Sequence, residues 1–451
     1  MKKLTLLCLL IFTLAGAQVT MQTVRDMAPN TWLQVPNSHL ETVFPDYQWT
    51  WDNGVYGVTG PGSVIGAWGG GAYDTKRDRL ILWGGGHNNY RGNEIYLFDV
   101  ATLKWIRYTD PTPHPVDCGQ VNSDGTPNSR HTYGGLEYIT HADRFFASGG
   151  ALNCNSGGCG ADKTWTFDFD AKQWTDRLPT GTKPPTACED ACAYDPNSKR
   201  LYWSDNNYAG NGRGVYSYDF DTNVWTRHNG TGHYAQTAVV DPKRKLLFFI
   251  GAGIVHVYDI GNNNYADQSW TTTGGSSVVG ANDPGLAYDP VLDRVVAWNG
   301  GSVYALNPDT KAWTAYNAAN APTPASVGTY GRWRYVPSVN AFINVNDHQQ
   351  NVYFYKLTAG TGTGLTSPNR AVADNDIRIS PNPFASAARI SLGNGRGGKI
   401  QILNLQGKLI STLCNDPGKD ILWDASGLAP GIYLLKTAVR GKIQTVKLFR
   451  Q

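Results

Sequence analysis

A short segment recurs along the chain with an unchanged internal spacing. It reads NEIYLFDVATLKW, then KTWTFDFDAKQW, GVYSYDFDTNVW and SVYALNPDTKAW. In each copy an aromatic residue precedes a tryptophan by nine residues, as from Tyr96 to Trp105 and from Tyr304 to Trp313. Apolar and polar residues alternate on both sides of an Asp/Asn turn, which predicts a β-hairpin. A fifth copy, HVYDIGNNNYADQSW, reaches Trp270 through a longer loop.

A second strand–turn–strand pattern precedes each hairpin, as in AYDTKRDRLILWGG and AYDPVLDRVVAWNGG. Two hairpins make four strands per unit of roughly 45–65 residues, the size of a propeller blade. A sixth copy, GRWRYVPSVNAFINVNDHQQNVYFYKL, lacks its last strand, which NTWLQVPN with Trp32 is expected to supply, closing the ring. We therefore predict an all-β, six-bladed propeller, or seven blades if residues 38–62 hide a degenerate copy.

Paired glycines mark the ends of several predicted second strands. Gly85–Gly86, Gly149–Gly150 and Gly300–Gly301 are each followed by the spaced aromatic and tryptophan residues. This arrangement resembles the kelch repeats of galactose-oxidase-like propellers and covers most of residues 18–357. The resemblance implies a fold, but the same fold carries many unrelated functions.

Both ends of the chain differ from the repeats. The basic start MKK and the apolar run LTLLCLLIFTLAGA predict a signal peptide over residues 1–17. Residues 358–372 are rich in Gly and Thr and predict a linker, and residues 373–451 read as a small β-sandwich. In that tail, SPNP, GLAPGIYLL and the ending KLF resemble the type A sorting domain of the Bacteroidetes type IX secretion system. The resemblance implies that the type IX machinery is a partner and that the protein is secreted or held at the outer-membrane surface.

Composition supports this view and excludes some partners. The chain has 51 Gly, 15 Trp and 24 Tyr, and only 17% charged residues, which suits short strands, tight turns and aromatic packing. A net charge of +3 is too small to indicate nucleic-acid binding. We expect a monomer, and the sequence specifies no cofactor or metal.

Six cysteines follow the predicted signal peptide, and export permits disulfides. The simplest pairings are Cys154 with Cys159 and Cys188 with Cys192, which leave Cys118 without a local partner. The spacing does not fix the connectivity.

The loops at the two ends of the predicted blades differ in character. The turns between first and second strands, such as DTKRDR, DPNSKR and DPVLDR, are near copies, so we interpret them as turn formers. The loops at the other end are irregular and carry polar and aromatic residues, which favours a binding site there. WGGGHNNYRGNE, residues 83–94, is one of these loops, and its glycines and asparagines equally suit a plain turn.

We predict that this irregular end acts on extracellular polysaccharide. His, Tyr and Arg together supply the base, acid and carboxylate-neutralising group that β-elimination of a uronate-containing glycan requires. The candidate catalytic residues are His131, Tyr133, His87 and Arg130. The candidate substrate-binding residues are Asn88, Tyr90, Asn93, Tyr208, His233, Tyr234, Arg332 and His348.

Three other functions compete with a lyase. A non-enzymatic surface that binds glycan or protein is the main alternative. The kelch resemblance raises a copper radical oxidase, but His233 precedes Tyr234 where that family has Tyr before His, and no cysteine occupies a comparable place. Hydrolysis by paired carboxylates is disfavoured because acidic residues at this end are few; the obvious ones are Glu189, Asp190, Asp283 and Asp347.

Overall fold

The computed structural model describes residues 18–155, 159–205, 214–262 and 265–362, and, in the tail, residues 377–380, 384–392, 398–404, 407–415, 420–439 and 442–450. The chain divides into two compact units, Met1–Leu365 and Thr366–Gln451. The predicted signal peptide and all of the predicted linker after residue 362 lie outside the described residues. None of the described helices is long and apolar enough to cross a membrane.

The first unit is built from six main antiparallel sheets, numbered here in order of their first strands. Sheet 1 comprises Ala72–Asp74, Arg79–Trp83, Ile95–Asp99 and Lys104–Arg107. Sheet 2 comprises Leu136–Ile139, Arg144–Ser148, Thr164–Asp168 and Gln173–Asp176. Sheet 3 comprises Asp190–Asp195, Arg200–Asp205, Tyr216–Asp219 and Val224–Arg227, with Thr180–Gly181 added in parallel at its outer edge.

The remaining main sheets continue the pattern. Sheet 4 comprises Thr237–Asp241, Leu246–Gly251 and Ile254–Asp259. Sheet 5 comprises Gly285–Asp289, Arg294–Trp298, Val303–Asn307 and Ala312–Tyr316. Sheet 6 comprises Trp333–Val336, Ala341–Asn344, Tyr353–Lys356 and, from the start of the chain, Thr31–Gln34. A small extra sheet comprises Arg130–His131, Ala151–Leu152 and Cys159–Gly160.

The six main sheets contact one another in cyclic order. The first strand of each sheet contacts the first strand of the next, and that of sheet 6 contacts that of sheet 1. The hydrophobic core follows the same cycle, because a separate buried cluster fills each of the six interfaces between neighbouring sheets. Each sheet is therefore covered on both faces by its neighbours, which a single four-stranded sheet cannot achieve alone.

The repeated tryptophans account for the fixed nine-residue spacing. Each lies on the last strand of its sheet and packs against the preceding sheet: Trp105 on sheet 6, Trp174 on sheet 1 and Trp225 on sheet 2. Trp225 is 1% exposed, and its indole N–H donates to the Thr164 hydroxyl at 2.9 Å. A different spacing would move the indole out of this interface.

The predicted closing strand is observed. Thr31–Gln34 pairs antiparallel with Tyr353–Lys356, and Trp32 lies opposite Tyr355. Its indole contacts the rings of Trp298 and Trp333, at centroid distances of 5.6 and 5.9 Å, and so joins the interface between sheets 5 and 6.

Residues 38–62, for which the sequence allows a degenerate blade, contain no strand. They form a 3-10 helix, Leu40–Val43, and an α-helix, Tyr47–Asp52, and a short helix Ser63–Gly66 follows. Of the other described helices, Met21–Arg25 precedes sheet 6's closing strand, Ser276–Val279 precedes sheet 5 and the 3-10 turn Tyr330–Arg332 precedes sheet 6.

Sheet 4 departs from the predicted four strands. The segment leading to Trp270 makes two backbone hydrogen bonds to the third strand, Gln268 to Val257 at 2.9 Å and Trp270 to Val255 at 2.7 Å, but forms no regular strand. Because the loop in this copy is longer, the fourth segment pairs with the third strand over a shorter length.

The repetitive turns are structural, as the sequence predicts. The Tyr138 hydroxyl donates to Asp143 at 2.8 Å and that of Tyr288 to Asp293 at 2.6 Å, so a tyrosine on the first strand holds an acid five residues on. Asp143 also accepts from Arg77 of sheet 1 at 2.6 Å, which ties adjacent sheets together. The near-identical sequences of these turns thus reflect the same stabilising hydrogen bonds in different sheets.

The second unit contains two antiparallel sheets around one hydrophobic cluster that includes Ile400, Trp423 and Leu435. One sheet comprises Ile377–Ser380, Ala387–Leu392 and Ile421–Asp424. The other comprises Gly398–Asn404, Leu409–Asn415, Gly431–Val439 and Lys442–Arg450.

Candidate functional site

The loop WGGGHNNYRGNE is a packing element. Gly84 and Gly85 have φ values of +116° and +125°, which favour glycine. A Cβ atom on Gly86 would lie 2.2 Å from the Cα of Arg130, so the loop can approach the next strand only without a side chain. The loop's carbonyls then bind the preceding segment: Val58 N–H donates to Asn88 O and Thr59 N–H to Asn89 O, each at 2.9 Å.

His131 lies beneath this loop and is 1% exposed. Its Nε2 is 2.9 Å from Oδ1 of Asn89, and its ring centroid is 5.0 Å from His87, 5.1 Å from Trp68 and 6.0 Å from Tyr133. Burial, followed by the neighbouring His87, lowers the pKa of His131 to about 3, so the imidazole is neutral at pH 7. Since an amide oxygen only accepts, Nε2 carries the proton that it donates to Asn89.

Five further predicted site residues are buried and bonded within the protein. Arg130 donates to the carbonyls of Asn128 and Gly149 and lies over the Trp83 ring. Arg332 donates to the carbonyls of Gly69, Val345 and Gly328. Burial lowers the pKa of each guanidinium to about 10. Both arginines therefore bond backbone carbonyls of the protein.

The other three buried residues are also structural. The Tyr90 hydroxyl donates to Glu94 at 2.7 Å, and the Asn93 amide donates to Thr126 at 2.7 Å. His233 stacks on Phe249 at a centroid distance of 4.2 Å, and burial lowers its pKa to about 3. All three side chains are buried, so the prediction that they bind substrate has no exposed surface to support it.

The remaining predicted residues are dispersed. Asn88 is half-buried and accepts from the Arg91 guanidinium at 2.8 Å. His348 is half-buried against Phe44, and Tyr208 lies outside the described residues. Tyr234 is 61% exposed.

A cavity of about 730 Å³ opens where the chain enters the first strands. Trp68, Tyr133 and Glu189, which precede the first strands of sheets 1, 2 and 3, lie on its wall. Its other polar and aromatic lining residues are Tyr234, Asn282, Asp283, Asn299 and Ser326. The predicted residues Tyr133 and Tyr234 therefore line one cavity, and His131 contacts Trp68 and Tyr133 from behind its wall.

Two carboxyl groups face this cavity in an unusual electrostatic setting. Burial and the charge of Glu189 raise the pKa of Asp283 to about 7, so near neutral pH it can give or take a proton. The pKa of Tyr133 is also raised, by burial first and then by Glu189. The hydroxyl of Tyr133 is therefore protonated and can donate a hydrogen bond.

The backbone around the cavity is strained. Four lining residues other than glycine adopt left-handed conformations: Trp68 at φ 48°, Tyr133 at 42°, Ala235 at 52° and Asp283 at 49°. Each such residue costs about 1–3 kcal/mol, and strain of this kind concentrates at functional sites. Each of these residues lies shortly before the first strand of its sheet, and these segments meet at the cavity.

The disulfide differs from both predicted pairings. Cys118 is bonded to Cys154, across 36 residues, which excludes a bond between Cys154 and Cys159. Cys188 and Cys192 are not joined, because Cys192 lies inside the first strand of sheet 3 with its thiol in the core beside Leu201. Within the described chain, the grouping of Asp117 with these two bonded cysteines is the one cluster of metal-ligand type.

Glu189, Asp283 and Trp68 are the cavity residues that sequence reasoning missed or set aside. The two acids are far apart in sequence, and Trp68 stands outside the nine-residue pattern. All three lie shortly before the first strand of a sheet, and this shared position is the sequence feature that could have indicated them.

Comparison with known proteins identifies the tail. Residues 378–450 match the secretion system C-terminal sorting domain family. The protein is secreted or held at the cell surface, and its tail engages the type IX secretion machinery.

Two further comparisons concern the chain as a whole. No curated protein sequence matches the chain. The solved extracellular domain of a one-component system from B. thetaiotaomicron is 13% identical, with a TM-score of 0.36 over 84% of this chain. The chain spans 50% of the length of that structure.

Proposed function

We propose that the first unit is a six-bladed, kelch-like β-propeller that binds a neutral extracellular polysaccharide in the cavity beside Tyr133. Cyclic contact between the six first strands supports the propeller, as does pairing of the first and last strands of the unit. The sorting tail supports an extracellular ligand. The type A subclass and the Bacteroidetes origin remain predictions from the tail motifs.

The observation that carries the carbohydrate proposal is the chemistry of the cavity wall. Trp68 is 42% exposed and Tyr234 61% exposed, so two aromatic faces are open to a ligand. The amides of Asn282 and Asn299 stand beside them. Aromatic faces pack against the C–H faces of sugar rings, while amides and carboxylates bind hydroxyls.

The charge of the cavity favours a neutral glycan over a uronate polymer. Glu189 and Asp283 are acidic, and among the described lining residues none is Lys, Arg or His. A uronate would meet like charge without a compensating cation, which disfavours binding. Arg130 and Arg332, the cations that the lyase hypothesis assigns to the uronate carboxylate, are buried, which also favours a neutral glycan.

A second candidate function is acid–base catalysis on the bound glycan. The raised pKa of Asp283, beside the Glu189 charge, favours it, because a carboxyl group that titrates near neutral pH can act as the general acid of glycoside hydrolysis. In this role Asp283 donates a proton to the leaving oxygen and Glu189 acts as base or nucleophile.

Binding is tested with soluble galactomannan, mixed-linkage β-glucan, arabinoxylan and alginate by affinity electrophoresis and calorimetry. We expect binding to a neutral polymer and none to alginate. Tyr234→Ala should weaken that binding by about tenfold or more, whereas Leu178→Ala, which removes a 73% exposed side chain from another surface, should not. Binding to alginate alone, or to none of the four, would overturn the proposal.

Catalysis is tested by the release of reducing ends from the bound polymer. Asp283→Asn should lower the rate by about 10²–10⁴-fold with polymer binding retained. If the parent protein binds a neutral polymer and releases no reducing ends, the binding function stands alone.

A further inference from the structure

We propose that Tyr47, Trp51 and Tyr56 form a second carbohydrate subsite that holds a neutral polysaccharide chain where it extends beyond the cavity. This inference rests on the proposed function and specifies its ligand as a polymer rather than a short sugar. These three residues are called the aromatic platform below.

The aromatic platform is an exposed cluster of rings. Tyr47 is 62% and Trp51 50% exposed. Trp51 stacks on Tyr56, with ring centroids 4.7 Å apart and an interplanar angle of 16°, and Tyr47 lies edge-on to Tyr56 at 5.2 Å. Large aromatic side chains are seldom left in water together unless a partner covers them.

Local structure fixes these rings before any ligand arrives. Tyr47 and Trp51 are four residues apart on the helix Tyr47–Asp52, so they share one face. Asp46 caps this helix by accepting from Trp49 N–H at 2.8 Å. Beyond its end, Gly54 turns the chain at φ 65°, and Tyr56 N–H donates to the carbonyl of Thr50 at 3.1 Å. A ligand that stacks here meets rings already in place, which lowers the entropy cost of binding.

A chain of contacts connects the aromatic platform with the cavity. Next to Tyr56, the Val58 N–H donates to Asn88 O and the Thr59 N–H to Asn89 O. Asn89 bonds His131, whose ring lies 5.1 Å from that of Trp68 on the cavity wall. The segment after the aromatic platform and the cavity wall are therefore linked through Asn89 and His131.

The surroundings favour a glycan over a second copy of the chain. Half of a tyrosine or tryptophan surface is roughly 100 Å², whereas each partner in a stable protein interface buries about 800 Å². The Gln48 amide donates to Asp52 at 2.8 Å, which places amide and carboxylate groups on the helix that carries two of the rings. Stacking surface with adjacent hydrogen-bonding groups is what a sugar chain requires.

The test compares long and short ligands of the same glycan. The probe is whichever of galactomannan, mixed-linkage β-glucan or arabinoxylan the parent protein binds, together with its trisaccharide. We expect Trp51→Ala to weaken polymer binding by about 10–100-fold and to leave trisaccharide binding unchanged. Trp51→Phe, which keeps an aromatic face, should restore most of the polymer affinity.

Cavity and control variants separate the two proposals. Tyr234→Ala should weaken binding of both ligands, and Leu178→Ala neither. If Trp51→Ala binds polymer as the parent does while Tyr234→Ala does not, the aromatic platform is excluded and the cavity proposal survives. If the parent binds no polymer, both fail. If Trp51→Ala changes the mass in light scattering instead, the aromatic platform is a self-association surface and the inference is wrong.

Discussion

The imidazole Nε2 of His131 lies 2.9 Å from the amide Oδ1 of Asn89, and both side chains lie away from the wall of the cavity. This bond joins the entry to sheet 2 to the loop between the second and third strands of sheet 1. This contact favours a positioning role for His131 beneath the cavity, whereas the sequence predicts a catalytic role.

His131→Ala should therefore lower the free energy of unfolding by about 1–3 kcal/mol, because it removes a fully buried side chain and leaves the Asn89 oxygen without its donor. Chemical denaturation measures this. His114→Ala, at an exposed histidine, should change little. A catalytic His131 would give the reverse result, with unchanged stability and lost activity.

The same histidine predicts an acid dependence of stability. The unfolded chain takes up a proton near pH 6.5, whereas folded His131 does so only near its pKa of about 3. The unfolded state binds more protons in this window, so the free energy of unfolding falls as pH falls from 6.5 toward 3. A smaller fall in His131→Ala, in melting temperatures recorded between pH 7 and 4, would agree; identical slopes would not.

Asp283→Asn should stabilise the protein at alkaline pH. The pKa of Asp283 rises from its ordinary value of 3.8 to about 7 on folding, so the folded state holds an extra proton between these values and stability is lost as pH rises through them. Removal of the buried charge should therefore raise the melting temperature above pH 7 and have little effect below pH 4. The gain is at most ~4 kcal/mol at ~1.4 kcal/mol per pKa unit. Equal melting temperatures at pH 8 would show that the carboxyl is not buried.

Trp225→Ala should destabilise the protein by about 3–5 kcal/mol, because it empties the interface between sheets 2 and 3. Urea unfolding monitored by circular dichroism provides the measurement, and Leu178→Ala is the control. A change below about 1 kcal/mol would contradict the packing described for the repeated tryptophans.

Peptide mapping without reduction should recover Cys118 linked to Cys154. Replacement of both by serine should cost about 3–4 kcal/mol, from the chain entropy released by opening a loop of this length. Cys192 should react with a thiol reagent only after unfolding, because its thiol is buried. A recovered Cys188–Cys192 peptide would contradict the structure.

The exported protein should lack the sorting tail. The tail motifs resemble a domain that is removed at the outer membrane, so we expect the mature chain to end near residues 358–372. Intact mass of the form in the medium or at the cell surface decides this, and a species that retains the ending KLFRQ would refute it.

Much of the fold could be predicted because its determinants are local. The nine-residue spacing indicates a hairpin whose tryptophan occupies the same packing position in each copy. In the structure Trp105 and Trp225 lie in interfaces between sheets. The closing strand around Trp32 could be predicted because the sixth copy of the repeat lacks its last strand. In the structure Trp32 pairs with Tyr355 of that copy. Residues 38–62 were ambiguous, since short helices and a degenerate blade leave similar traces in a sequence.

The sequence by itself determined the strands, their order, the secretion tail and which end of the unit is irregular, because these depend on periodicity and on short contiguous motifs. Only the tertiary structure decided which irregular residues meet. His131 and Tyr133 are two apart in sequence, yet one is buried behind the cavity and the other lies on its wall. Glu189 and Asp283 are 94 residues apart in the sequence. The charge of Glu189 raises the pKa of Asp283 only because the folded chain brings both residues to one cavity. Burial and long-range electrostatics depend on distances between segments, and those distances arise only when the chain is folded.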